Sequence, residues 1–116
     1  MDTPTSRENS PHYAWGAVCD GWRLLDSGDL TVIEESVPPG AAERRHFHRF
    51  ARQFFYVLEG EATLEIEGRE HRVTKHQGIE VAPGQHHQFL NRSTTDVTFL
   101  VISSPATKGD RHEDSP

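Results

Sequence analysis

Short apolar or alternating runs, each closed by turn residues, are the feature that most restricts how this chain can fold. They fill most of residues 22–102, and no stretch longer than ten residues keeps a 3.6-residue apolar period with helix caps. The separators include Pro38-Pro39-Gly40, Glu59-Gly60-Glu61 and Pro83-Gly84, which supply the fixed or positive φ angles of tight reversals. Runs of this kind predict an all-β sandwich or barrel.

The pattern predicts nine strands. Their bounds are 22–25, 30–37, 45–48, 53–58, 62–66, 71–73, 79–82, 87–90 and 97–102. In the run 53–58, alternation places Gln53, Phe55 and Val57 on one face of the strand and Phe54, Tyr56 and Leu58 on the other. Both faces are apolar, so we expect a second layer or a partner subunit to cover the outer one. A homodimer is therefore predicted.

Length and composition favour one domain between two loose ends. A chain of 116 residues is long enough for one core and too short for two. Residues 1–13 and 105–116 are polar or charged, and we predict that they form flexible tails on a barrel domain spanning residues 14–104.

Charge and hydropathy exclude several classes of partner. The formal net charge is −6, so we expect no nucleic-acid binding. No apolar run approaches membrane-spanning length and the first ten residues are polar, which predicts no membrane association and a cytoplasmic location. Cys19 is the only cysteine, which fits a reducing compartment.

A cluster of histidines predicts a metal site. His46 and His48 are two residues apart, so in a strand both side chains leave from the same face and can reach one ion. Gln53 offers an amide oxygen, and His87 offers a third imidazole after a Pro-Gly turn. Adjacent residues of a strand face opposite ways, so only one of His86 and His87 can point inward. His87 is the better candidate because it lies on the same face as Phe89. Nitrogen and oxygen ligands suit one divalent transition metal ion, namely Mn, Fe, Co, Ni or Zn. The alternative is that Gln53 only hydrogen-bonds inside the barrel.

Four arginines flank the predicted ligands: Arg44, Arg45, Arg49 and Arg52. Arg44 shares parity with His46, so it could hold a substrate carboxylate or phosphate at the mouth of a pocket. The favoured alternative is a solvated strand end whose charges pair with Glu34, Glu35 or Glu43.

These motifs resemble those of a small single-domain cupin. Such proteins carry Gly, five residues, His-x-His, three or four residues, Glu, six residues and Gly. Here the positions are Gly40, His46, His48, Gln53 and Gly60, with Gln53 in the Glu position. The second cupin motif is matched at Gly84, His87 and Asn91, whereas Ala82 replaces its usual Pro and His76 its opening Gly.

The resemblance implies a fold, a ligand set and a range of activities. The fold would be the cupin double-stranded β-helix, an RmlC-like jelly-roll barrel, with His46, His48, Gln53 and His87 as metal ligands. The protein would be a small metalloenzyme of the dioxygenase, isomerase or lyase type, acting on a small oxygenated substrate. The alternative is a non-catalytic cupin that binds or senses a small molecule. Uronate-opening cupins also place Gln in this position, but their acid on the last strand is missing from residues 100–104. We expect the pocket lining to include Phe55, Val57, Leu64, Phe89 and Phe99.

Overall fold

The computed structural model describes residues 3–114 as strands joined by short turns, after one turn of 3-10 helix at Arg7–Asn9. The strands are β1 (His12–Trp15), β2 (Cys19–Asp26), β3 (Thr31–Val37), β4 (His46–His48), β5 (Arg52–Glu59), β6 (Glu61–Ile66), β7 (Arg69–Thr74), β8 (Gly78–Val81), β9 (His87–Leu90), β10 (Val97–Ser104) and β11 (Arg111–Glu113). Within residues 3–114, no helix is long and apolar enough to cross a bilayer.

Two antiparallel sheets form the barrel. The first has the strand order β1-β2-β3-β10-β5-β8, and the second has the order β11-β4-β9-β6-β7. Most neighbours in a sheet are distant in sequence, because β10 returns between β3 and β5 and β9 between β4 and β6. The all-β cupin barrel predicted from the sequence is therefore confirmed.

The alternating pattern of the sequence is also the burial pattern of the strands. On β10, Val97, Phe99, Val101 and Ser103 are buried in turn, and the residues between them are more exposed. β5 follows the same rule, with Gln53, Phe55 and Val57 inside. Register is fixed by this alternation, because a slip of one residue would turn the apolar set of a strand toward solvent.

Aromatic side chains from the two sheets meet in the core. Phe89 of β9 and Phe99 of β10 stack with ring centroids 4.0 Å apart, and Phe55 lies 6.1 Å from each of them. Buried aliphatic residues complete this cluster, among them Val37, Val57, Ala62, Leu64, Val73, Val81 and Val97. The core fills one part of the barrel and leaves the part near β4 free for a site.

The sheets extend beyond the strands expected from the sequence at both ends. β1 begins at His12, inside the segment predicted to be a flexible tail. β11 lies inside the other predicted tail and pairs with β4, placing Arg111 opposite His48 and Glu113 opposite His46. Asp110 anchors this return, because its carboxylate accepts hydrogen bonds of 2.9–3.0 Å from the backbone N–H groups of residues 49–51. The outermost residues of the predicted tails, 1–2 and 115–116, lie outside the described residues.

Composition suggested the tails because polar segments bury little apolar surface. In the structure, β1 pairs with the neighbouring strand β2, and β11 pairs with the distant strand β4.

Candidate metal centre

Three imidazoles converge at one end of the barrel. His46 and His48 leave the same face of β4, and His87 on β9 is the register partner of His46. One ring nitrogen from each histidine lies within 4.8 Å of those of the other two, and all three side chains are buried. His86 faces the other way, where its Nδ1 lies 2.8 Å from Asp114 Oδ1. The three clustered histidines could hold a metal ion.

Backbone carbonyls fix the tautomers of two of these rings. A carbonyl oxygen can only accept, so the Nδ1–H of His46 donates to Arg44 O at 2.8 Å and the Nδ1–H of His87 donates to Gln85 O at 3.0 Å. The ring lone pair of each of these two histidines is therefore on Nε2. His87 Nε2 is buried without a hydrogen-bond partner, and so is His48 Nδ1. Buried polar atoms rarely stay unpaired, so these nitrogens fit an ion that would satisfy them.

Burial also keeps the imidazoles neutral. Burial, together with the neighbouring His87, lowers the pKa of His46 to about 3 and that of His48 to about 4. The pKa of His87 is likewise lowered, mainly by burial. Neutral imidazole is the form that coordinates metals, so near pH 7 the cluster needs to release no proton in order to bind.

Gln53 lies beside the histidines on β5. Its Nε2 donates a hydrogen bond of 3.1 Å to Ser103 Oγ on β10, while its Oε1 is buried without a partner. An unpaired amide oxygen next to three imidazoles is a donor that first-row divalent ions accept. The Nε2 end of the amide is hydrogen-bonded inside the barrel, and ligation of a metal by the free Oε1 stays a prediction.

A cavity of about 520 Å³ opens next to the histidines. Its lining includes His46, His48, Gln53 and Ser103, together with apolar groups from Trp15, Ile33, Phe55 and Val101. The sequence analysis expected Val57, Leu64, Phe89 and Phe99 to line the pocket, but these four are packed in the core. The correction has a simple cause: alternation shows which face of a strand is inward, but not where along the strand the core ends and the cavity begins.

Two glutamates treated above as surface partners of the arginines are cavity residues instead. Glu43 Oε2 accepts the Phe89 backbone N–H at 2.9 Å, and its Oε1 lies 3.9 Å from His46 Nδ1. Glu35 accepts a hydrogen bond of 2.7 Å from the Tyr13 hydroxyl. Burial raises the pKa of Glu43 to about 8 and that of Glu35 to about 7. Both carboxyls can therefore exchange protons near neutral pH.

The parity of β3 could have identified Glu35, because it occupies the inward series with Thr31, Ile33 and Val37. Other cavity residues not expected from the sequence include Tyr13, Trp15 and Arg23 from β1 and β2, and Arg111 from β11. They come from outside or near the edges of the predicted strands, so no local signal linked them to the histidines.

The four flanking arginines have different surroundings. Arg44 lines the cavity mouth and lies 3.3 Å from Glu113, whereas Arg45 is bound by Glu65 at 2.6 Å and by Asp114 at 2.5 Å. Arg52 pairs with Glu80 on the outer surface. Arg49 is exposed and offers its backbone N–H to Asp110. Of the four, only Arg44 lines the cavity.

Fold and site together define a small β-barrel protein with a three-histidine centre that faces a ligand-sized cavity. The chain belongs to the cupin family, since the family model for the cupin domain matches residues 33–103, more than half of the sequence. All four residues predicted as ligands lie inside that match.

Known proteins similar to this chain include two with a connection to polyketides. TcmJ, a tetracenomycin polyketide synthase protein of Streptomyces glaucescens, is 30% identical over 79 residues, which cover 68% of this chain and 52% of TcmJ. The chain thus spans about half the length of that relative. The polyketide cyclase RemF of Streptomyces resistomycificus has a similar structure, with a TM-score of 0.82 and 21% identity over 100% of this chain and 87% of RemF.

A third similar protein is KdgF from Halomonas sp., with a TM-score of 0.83 and 17% identity over 92% of this chain and 98% of KdgF. At these identities the solved structures show a shared fold.

Proposed function

We propose that this chain is a divalent-metal-dependent cupin enzyme that acts on a polyketide-type substrate, a flat molecule bearing several carbonyl or phenolic oxygens. The observation that carries the proposal is a cluster of three neutral imidazoles, of which His46 and His48 line a cavity that also holds two proton-exchanging carboxyls, Glu35 and Glu43. Of the reaction types that the cupin resemblance implies, this set suits proton transfer next to a carbonyl group.

The metal would be held by His46, His48 and His87, with the free Oε1 of Gln53 as a fourth ligand. When bound, a divalent ion supplies Lewis-acid polarisation of a carbonyl or phenolic oxygen. The neutral Gln53 would leave more positive charge on the ion than the usual Glu of cupins, which favours such polarisation. The fit rests on the unpaired buried atoms His48 Nδ1, His87 Nε2 and Gln53 Oε1.

The substrate class is suggested by the cavity and by the relatives. A volume of about 520 Å³ falls in the range of small-molecule sites, and Trp15, Ile33, Phe55 and Val101 provide apolar walls against which a flat ring system can pack. TcmJ and RemF are named as a polyketide synthase protein and a polyketide cyclase. Cyclisation of such a molecule forms one carbon–carbon bond between an α-carbon, which loses a proton, and a carbonyl carbon, whose oxygen gains one. The new hydroxyl group then leaves as water together with a second α-proton, which forms a carbon–carbon double bond in the ring.

The residues of this chain can manage both protons. Glu43 Oε1 lies near His46 and Arg111 at the cavity wall, where it can accept the proton of the α-carbon. Glu35, whose pKa is raised to about 7 by burial and whose Oε2 accepts the Tyr13 hydroxyl, can donate a proton from its other oxygen to the developing alkoxide. The apolar walls exclude water from the reacting carbons, which limits hydrolysis and competing protonation.

The test is a turnover screen with and without dioxygen. Protein loaded separately with Mn, Fe, Co, Ni or Zn is incubated with β-keto esters, acylated phenols and aromatic polyketide intermediates, and products are separated by mass spectrometry. We expect metal-dependent loss of water from at least one substrate, unchanged under nitrogen and reduced at least tenfold in Glu43→Gln. Turnover only in air would contradict cyclisation in favour of oxygenation. No turnover with any metal would contradict the enzyme proposal and favour the alternative, a non-catalytic binding module.

We also propose that two copies associate through the outer face of the first sheet. Phe54 on β5 is 41% exposed, and Phe50 in the preceding loop is 66% exposed. Exposed aromatic side chains favour an interface between subunits. Light scattering should give the mass of a dimer for wild type and of a monomer for Phe54→Glu, whereas a monomeric wild type at tens of micromolar would refute this.

A further inference from the structure

Arg111 brings a positive charge to the metal centre from the last strand. β11 pairs with β4 so that Arg111 lies opposite His48, and its side chain turns into the cavity. Its Nη1 is 3.3 Å from His46 Nε2 and 3.7 Å from Glu43 Oε1, and its Nη2 is 3.3 Å from Arg44 O. About 40% of the side chain is exposed.

The contacts of this guanidinium are long for an arginine. Its Nε donates to Glu113 Oε2 at 3.3 Å, which is no shorter than the distances from Nη1 to His46 Nε2 and from Nη2 to Arg44 O. By contrast, Arg45 binds Glu65 with two bonds of 2.6 and 3.0 Å, the forked geometry that charged pairs prefer. Arg111 therefore has the capacity to bind a stronger acceptor than those around it.

Metal binding would remove one of those acceptors. His46 Nδ1–H donates to Arg44 O, so its single ring lone pair is on Nε2, the atom that Arg111 approaches. Because one lone pair cannot serve both an ion and an N–H donor, the Arg111 N–H would be released. It would also lie beside a divalent charge, and two cations so close together are stabilised when an anion binds between them.

We infer that Arg111 and the metal centre together form a binding site for an anionic oxygen pair, as in a carboxylate. One oxygen would reach the ion and the other the planar fork of Arg111, which matches two coplanar oxygens. This inference rests on the proposed function and specifies its substrate: the ligand enters as an anion. It also gives the C-terminal strand a part in the site.

A two-stage binding experiment tests the inference. In the first stage, Co(II) alone is titrated into metal-free wild type, Arg111→Met, Arg111→Lys and the distant surface control Arg92→Met, whose side chain pairs with Glu70. Arg111→Met should bind Co(II) at least as tightly as wild type, because a positive charge next to His46 is gone. If wild type binds no Co(II), the proposed function falls and the anion site falls with it.

In the second stage, malonate and its neutral analogue malonamide are titrated into the Co(II)-loaded proteins, with the visible spectrum and calorimetry as readouts. Wild type should bind malonate at least tenfold more tightly than malonamide. Arg111→Met should lose at least tenfold in malonate affinity, Arg111→Lys should lose less, and Arg92→Met should match wild type.

The results that would overturn the anion site are distinct from loss of the metal. A Co(II)-loaded wild type that fails to prefer malonate would overturn it, and this result needs no folded variant. A Co(II)-loaded Arg111→Met that binds malonate within twofold of wild type would overturn it as well.

Discussion

Gln53 and Ser103 face each other across β5 and β10, and the Gln53 Nε2 donates a hydrogen bond of 3.1 Å to Ser103 Oγ. The bond orients the amide so that its Oε1 lies free beside the histidines. Ser103 would thus position the amide that we propose as a neutral metal ligand, at the place where the cupin motif usually has Glu.

Ser103→Ala should weaken metal binding without unfolding the protein. The Gln53 amide would lose its orienting acceptor, and loss of such a partner costs roughly 10-fold in metal affinity. Competition with a chelator gives the affinity, and Ser104→Ala is the matched control because Ser104 is exposed on the other face of the same strand. If the two variants hold the ion equally well, Ser103 does not position Gln53 for the metal.

Gly60→Ala should destabilise the fold more than Gly40→Ala, although both glycines belong to the first cupin motif and both have positive φ angles of +88° and +82°. A Cβ on Gly60 would lie 2.4 Å from the backbone oxygen of Asp96, whereas a Cβ on Gly40 would meet nothing within 4 Å. Gly40→Ala should therefore cost only about 1 kcal/mol of conformational strain.

Gly60→Ala adds a backbone clash, and we expect a loss of about 2–4 kcal/mol. Urea unfolding of both variants measures the difference. Equal losses would show that strain in φ alone explains the two glycines.

Glu43 makes the stability of the metal-free protein depend on pH. Burial raises the pKa of its carboxyl from 4.5 to about 8, so between these values the folded state binds more protons than the unfolded state. Stability from this group is present at low pH and is lost as the pH rises toward 8, by up to about 1.4 kcal/mol per pH unit.

Glu43→Gln removes this dependence and keeps an oxygen for the Phe89 N–H. In urea unfolding with a chelator present, the free energy of unfolding of the variant should rise relative to that of wild type between pH 5 and pH 8. Because the charge of Glu35 acts on Glu43, both proteins carry Glu35→Gln in this comparison, which keeps the titration of Glu35 out of the difference. A constant difference in unfolding free energy across this range would mean that Glu43 is ionised throughout.

Much of this architecture could be predicted from the sequence because it depends on local chemistry. Alternation along β5 and β10 predicts which side chains are inward, and the two-residue spacing of His46 and His48 places both on one face. The parity of His87 with Phe89 separates it from His86. Each of these inferences needs only the two-residue period of a strand.

The rest of the site depends on contacts between distant segments. Arg111 is 65 positions from His46, and Tyr13 is 22 positions from Glu35. The pairing of β11 with β4 has no local signature, because three polar residues at a sheet edge look like a solvated tail. Tertiary pairing, and not composition, decided that these residues reach the cavity.

The most direct test of the account is metal analysis of wild type, His87→Ala and His86→Ala, purified without added metal and then titrated with Zn(II) and Co(II). His86 and His87 are neighbours on opposite faces, so the two substitutions are matched. The account predicts about one ion per chain in wild type and in His86→Ala, and loss of at least 100-fold in affinity in His87→Ala with its circular dichroism unchanged. A wild type that binds no ion, or a His87→Ala variant that binds as tightly as wild type, would contradict it.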